Sequence, residues 1–172
     1  MSAKSFTVNL KSKIKSYKKV IDVDSDKSLS IRSFIIGSIC QKISFASNIL
    51  ESEDVKSTIS TCRKLGVKIV KIKSKKYKIY GKGLGSFYAK KNTELDFCNS
   101  GTLARLLIGV LSTTPNIEVK IRGDHSLNKR NMGEIIKLMS KFGAVFLPKN
   151  KFKFPLKLIS SSMPVGIKYR AG

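Results

Sequence analysis

The chain has 172 residues and a mass of 19.1 kDa, with 34 Lys and Arg against 11 Asp and Glu, a formal net charge of +23, and 41% hydrophobic residues. An apolar fraction this high, with nine phenylalanines, excludes a disordered basic tail and is enough to build the core of one ordinary domain. No run of about 18 apolar residues occurs and the N-terminus has no apolar signal core, so a soluble, cytoplasmic protein without a membrane partner is expected.

Residues 1 to 23 read as extended, lysine-interleaved strands. Asp24-Ser25-Asp26-Lys27-Ser28 then supplies helix-start chemistry before the apolar run Ile31 to Ile43, placing a first helix from about Lys27. Glu51-Ser52-Glu53-Asp54 opens a second helix in which Val55, Ile59, Cys62 and Leu65 recur at helical spacing until Gly66. Alternating strands are expected at Val67 to Ile72 and Tyr77 to Tyr80, followed by a loop at Gly81 to Gly85 that lacks the Gly-Lys-Ser/Thr of a phosphate-binding P-loop. Asn99-Ser100-Gly101-Thr102 precedes a third helix, Leu103 to Leu111, and Ile117 to Ile121 is a strand. His125 falls in a loop, a fourth helix runs from Met132 to Phe142, and strands follow around Val145 and from Pro155 to Ile159.

The two halves repeat this order: polar turn, helix with an arginine in its first two turns, loop, helix ending in Leu-Gly or Phe-Gly, two strands. Gly66 and Gly143 lie 77 residues apart and Arg32 and Arg105 lie 73 apart, as in a duplicated α/β unit with loop-length drift. Val165 to Arg170 resembles the start of a third copy, which leads to the expectation that the chain is part of a longer polypeptide.

Lysine supplies 28 of the cations and is scattered through nearly every segment, as on a solvated surface, so a basic nucleic-acid-binding module is the alternative reading and rests on charge alone. Arginine is scarce, and its two-point fork suits carboxylate and phosphate better than lysine does. Arg32, Arg105 and Arg130 fall in segments dense in Ser, Thr, Gly or Asn, whereas Arg63, Arg122 and Arg170 sit in plain surface contexts. Lys27, Ser28 and Arg32 decorate one helix start, and Asn99, Gly101, Thr102 and Arg105 decorate the equivalent start in the second unit. Free N–H groups and the positive dipole end make such places favourable for anions. Cys40, Cys62 and Cys98 are odd in number and widely spaced, and read as packed, reduced thiols; no metal or cofactor is expected.

Four segments in order, Asp-Lys-Ser-Leu-Ser-Ile-Arg, Glu-Ser-Glu-Asp-Val, Leu-Asp-Phe-Cys-Asn-Ser-Gly-Thr-Leu-Ala-Arg-Leu and Gly-Asp-His-Ser-Leu-Asn-Lys-Arg-Asn-Met, resemble the N-terminal part of the 5-enolpyruvylshikimate-3-phosphate synthase family. The resemblance implies transfer of the enolpyruvyl group of phosphoenolpyruvate to the 5-hydroxyl of shikimate 3-phosphate, with release of phosphate, on the route to chorismate and the aromatic amino acids. It implies Lys27 touching both substrates as a catalytic residue, Ser28 and Arg32 on shikimate 3-phosphate, and Asn99, Gly101 and Arg130 with Lys27 on phosphoenolpyruvate. Thr102 and Arg105 are possible additions on the same helix. Ser25 stands where the family usually has Gly, and Asn131 where it has Pro. The related transferase acting on UDP-N-acetylglucosamine has Lys-Asn where this chain has Lys27-Ser28, and a cysteine where it has His125.

The implied fold is an α/β domain of repeated units with pseudo-threefold symmetry, helices inside and sheets outside. Residues 1–22 would be a strand segment of the second domain, and 23–172 would form two units, at about 23–92 and 93–162, with the start of a third. The second domain, with its acidic proton-transfer groups, would lie beyond this chain, which alone is expected to be inactive. A monomer is expected at full length, with the two small-molecule substrates and no nucleic acid as partners.

Overall fold

The structure, a computed structural model, describes residues 7–9, 18, 20 and 23–170. The first unit runs α1 (Lys27–Ile39), β1 (Ile43–Ser47), α2 (Glu53–Lys64), β2 (Lys68–Lys73) and β3 (Lys76–Tyr80). After β4 (Glu94–Asp96), the second runs α3 (Gly101–Ser112), β5 (Glu118–Arg122), a short α4 (His125–Lys129), α5 (Gly133–Lys141), β6 (Val145–Leu147) and β7 (Leu156–Ile159).

The duplication is written in the sheets. The first is ordered β1-β3-β2, and the second contains β5-β7-β6 in the same antiparallel arrangement, with β4 added parallel to the outer side of β5. In each unit the third strand of the sequence sits in the middle, because a hairpin follows a helix that has already placed one strand alongside. Each sheet turns one face to the helices. Ile69, Tyr77 and Ile79 of the first sheet, and Val119, Ile121, Leu156 and Leu158 of the second, are buried, while Lys68, Lys73, Lys76 and Lys120 alternate outward into solvent.

Helix α1 lies at the centre, packed on α2, α3, β1 and β3. Its buried residues, Ile31, Phe34 and Ile35 with Ser30, Gly37 and Ser38, fall on one side of the helix, while Leu29, Arg32 and Ile36 on the other side are exposed. Phe34 meets Tyr77 edge to face, with ring centroids 5.2 Å apart. Leu103, Leu107, Ile108 and Leu111 of α3 are fully buried beside them, each side chain stabilising the fold by about 1.5–3 kcal/mol. The units are tied together where α2 meets β4. Ser57 Oγ donates to the Asp96 carbonyl (2.8 Å) and Lys64 Nζ to the Glu94 carbonyl (2.9 Å).

Several sequence expectations change. A strand, β1, follows α1 directly, and α4 forms where a loop was expected, with His125 as its first residue. Asp124 caps it by accepting from Leu127 N (2.7 Å). Val165 to Arg170 forms neither helix nor strand. The expected strand at 1–22 lies outside the described residues apart from 7–9, 18 and 20, which belong to no element. No helix among the described residues is long and apolar enough to cross a membrane.

The glycine-rich loop after β3 closes the end of α1. Lys82 N and Gly83 N donate to the carbonyls of Ser38 (2.9 Å) and Cys40 (2.8 Å), which the helix itself leaves free. Gly81 passes so close that a Cβ there would stand 2.6 Å from the Gly37 carbonyl oxygen and closer still to that of Cys40. A Cβ at Gly109, inside α3, would meet nothing within 4 Å. Gly81→Ala is therefore expected to destabilise the fold by about 1–3 kcal/mol. Gly109→Ala should stabilise it by about 0.5–1 kcal/mol, both read from chemical denaturation midpoints.

Candidate anion-binding site

Local capping sets the register of the two helix starts. Asp26 Oδ1 accepts from Leu29 N (2.6 Å), making Lys27 the first residue of α1, and Ser100 Oγ accepts from Leu103 N (3.2 Å), making Gly101 the first of α3. Because α1 packs on both α2 and α3, the first residues of α1 and α3 and the second of α2, Asp54, come to one place. They line a polar cleft of about 280 Å³ with Asn99, Thr102, Arg105 and Arg130.

Arg130 reaches it from the end of α4. Asn128 pins that turn, its side chain accepting from Gly123 N (3.0 Å) and donating to the Gly123 carbonyl (2.9 Å), and Arg130 Nη2 donates to Asn99 Oδ1 (2.7 Å). Gly101 is required by what stands over it. A Cβ there would lie 2.9 Å from Arg130 Nη1 and 3.1 Å from Arg105 Nη1, so the bare backbone leaves room for two guanidinium groups above the start of α3. Lys27 Nζ lies 2.9 Å from Asp54 Oδ2, the one carboxylate lining the cleft. Three cations and the N-terminal dipole of α3 thus surround a space of small-ligand size, the arrangement that holds phosphate and carboxylate groups.

Larger clefts lie elsewhere. The one of about 560 Å³ beside α2 is lined by Arg63, Lys64 and Lys71 among others. Arg63 donates to the Ile69 carbonyl (2.7 Å), Lys64 to Glu94, and Lys71 pairs with Glu51 (2.8 Å). Hydrogen bonds from Lys71 and Tyr77 hold the Glu51 carboxyl down at about 2, and burial together with Glu51 pushes the Tyr77 phenol up to about 12. Arg122 likewise bridges Glu94 and Asp96. Among the described residues no three His, Cys, Asp or Glu side chains gather as a metal site, and all three cysteines are free. Burial is the main cause that pushes the Cys98 thiol, next to Asn99, above its ordinary value, which disfavours the nucleophilic thiolate.

Of the residues singled out from sequence, Lys27, Asn99, Gly101, Thr102, Arg105 and Arg130 come together. Ser28 and Arg32 do not line the cleft; they sit four residues apart on a neighbouring face of α1, where Arg32 is exposed. The reason is register. Arg105 is five residues past its cap and Arg32 six past its own, and one residue turns a helix by about 100°. Asp54 was not singled out, since an acidic residue in a first helical turn is ordinary and only the packing of α2 on α1 shows its partner.

The family model described as EPSP synthase (3-phosphoshikimate 1-carboxyvinyltransferase) matches residues 11–171. Among curated relatives, the 3-phosphoshikimate 1-carboxyvinyltransferase of Syntrophomonas wolfei is 35% identical over 161 residues, 94% of this chain and 37% of that protein. Its counterpart in Leptospira interrogans is 37% identical over 162 residues, 94% of this chain and 36% of that protein. Among solved structures, the EPSP synthase from Acinetobacter baumannii superposes with a TM-score of 0.78 at 33% identity, covering 87% of this chain and 34% of that one. The chain belongs to the EPSP synthase family, and spans just over a third of the length of the curated relatives it matches.

Since the atoms that a Cβ at residue 101 would meet are the mobile ends of two arginines, Gly101→Ala should leave the thermal midpoint nearly unchanged while displacing both guanidinium groups. Titration calorimetry with inorganic phosphate is expected to show about tenfold weaker binding, the equivalent of one lost charge-assisted contact.

Proposed function

We propose that this chain supplies the phosphoenolpyruvate-binding half of an enolpyruvyl transfer to shikimate 3-phosphate. The observation that carries the reading is the convergence of Lys27, Arg105 and Arg130 on the start of α3, where the bare backbone of Gly101 leaves room for the two guanidinium groups. Phosphoenolpyruvate brings a phosphate and a carboxylate on adjacent carbons, and two guanidinium forks with an ammonium match two anionic groups better than one.

In the reaction, the 5-hydroxyl oxygen bonds to the enol carbon, the bond from that carbon to the phosphate oxygen breaks, and the hydroxyl proton leaves with inorganic phosphate. Negative charge gathers on the departing phosphate oxygen. Fixed cations stabilise that charge without rearranging during the step, which is the main catalytic contribution this chain can make. Asn99 holds Arg130 in place by accepting its hydrogen bond. Lys27 stands between this cleft and the α1 face that carries Ser28 and Arg32, so one ammonium serves both substrates. Shikimate 3-phosphate would take that face, its phosphate on Arg32 and Ser28. The family membership and the four sequence segments support the same assignment.

The test is a phosphate-release assay on the polypeptide as its source makes it. Release that needs both substrates, and falls by about 10²–10³ in kcat/KM with Lys27→Ala, is expected. Release from phosphoenolpyruvate without shikimate 3-phosphate, or none with both at millimolar concentration from a polypeptide that carries the second domain, would overturn the reading.

A further inference from the structure

Asp54 is out of place in an anion site. A carboxylate beside bound phosphate opposes binding, yet Asp54 lines the cleft with three cations, and its side chain is only 13% exposed. The neighbouring acid in the same helical turn, Glu53, behaves as a surface group, pairing with Lys56 at 3.3 Å with its side chain 85% exposed. Only Asp54 turns inward, and what it touches is Lys27.

We propose that Asp54 is a positioning residue that holds the Lys27 ammonium over the cleft; the proposal rests on the reading of the cleft as the phosphoenolpyruvate site. Lysine is a point charge on a flexible stem whose ordering costs side-chain entropy, and the Lys27 side chain is half exposed. The contact at 2.9 Å confines the ammonium before a ligand arrives. Asp54 is itself fixed: it is the second residue of α2, where free N–H groups favour a carboxylate, and Thr58 Oγ1 donates to its carbonyl (2.8 Å), tightening that turn. The geometry trades some repulsion of the ligand for a preorganised cation.

Simple electrostatics and positioning predict opposite signs. Removing a negative charge from an anion site should tighten binding, whereas loss of positioning should weaken it. Calorimetric titration of the polypeptide as its source makes it with phosphoenolpyruvate is expected to show Asp54→Asn about tenfold weaker than wild type and Glu53→Gln within about twofold. Asp54→Glu should recover part of the loss. In a Lys27→Met background, Asp54→Asn should weaken binding no further, because nothing is left to position. Circular dichroism and thermal midpoints check folding, and should Asp54→Asn fail to fold, the Asp54→Glu and Lys27→Met pair carries the same coupling test. Binding by Asp54→Asn that equals or exceeds wild type, or an equal loss with and without Lys27, would overturn the role. Wild-type chain that binds no phosphoenolpyruvate would instead overturn the function on which the role depends.

Discussion

Three helices begin at one cleft, and each N-terminus carries a partial positive charge on N–H groups that no turn of its own helix can satisfy. Bringing them together with Lys27, Arg105 and Arg130 concentrates like charge in a small space, which the fold tolerates only because two features offset it. Asp54 and Asn99 engage one cation each within the protein. The remaining positive potential is open to solvent and to an anionic ligand. The site is thus a consequence of how α1 seats against α2 and α3, and that seating depends on the apolar centre of the molecule, where Ile31, Phe34, Leu103 and Leu107 have no solvent exposure.

A duplicated unit explains how one chain assembles such a place. Both copies carry a polar cap, a helix and a returning strand, so both present a helix start on the same side. Function then comes from their differences. In the second copy Gly101 has no side chain and the guanidinium groups of Arg105 and Arg130 stand over it, while in the first the equivalent position after the cap is Lys27, which brings a charge of its own.

Much of this was legible in the sequence, because capping and periodicity are local. Asp26 and Ser100 announce their helices, Gly66 and Gly143 stop theirs at positive φ, and the alternation of Lys with Ile and Val marks the outward face of the first sheet. Strand β1 was hidden because its first residue, Ile43, closes the apolar run that reads as helix, and its Ile43 and Phe45 face outward while only Ala46 is buried. Helix α4 is a single capped turn, too short for a period. The Lys27 contact with Asp54 was illegible for a different reason: it depends on which helix packs on which. So does the absence of Arg32 from the cleft, since a spacing of 73 residues between the arginines looks equivalent until the caps, one residue further apart, set the true register.

The central claim is that the converged helix starts form one anion site specific in place, rather than a general attraction from a chain of net charge +23. The measurement that tests it most directly is a backbone amide NMR titration of the 172-residue chain with phosphoenolpyruvate at near-physiological salt. Shifts confined to Lys27, Asp54, Asn99, Gly101, Thr102 and Arg130 and their immediate neighbours are the predicted result. Shifts spread over the lysines of β2 and β3, fading together as salt rises, would contradict it.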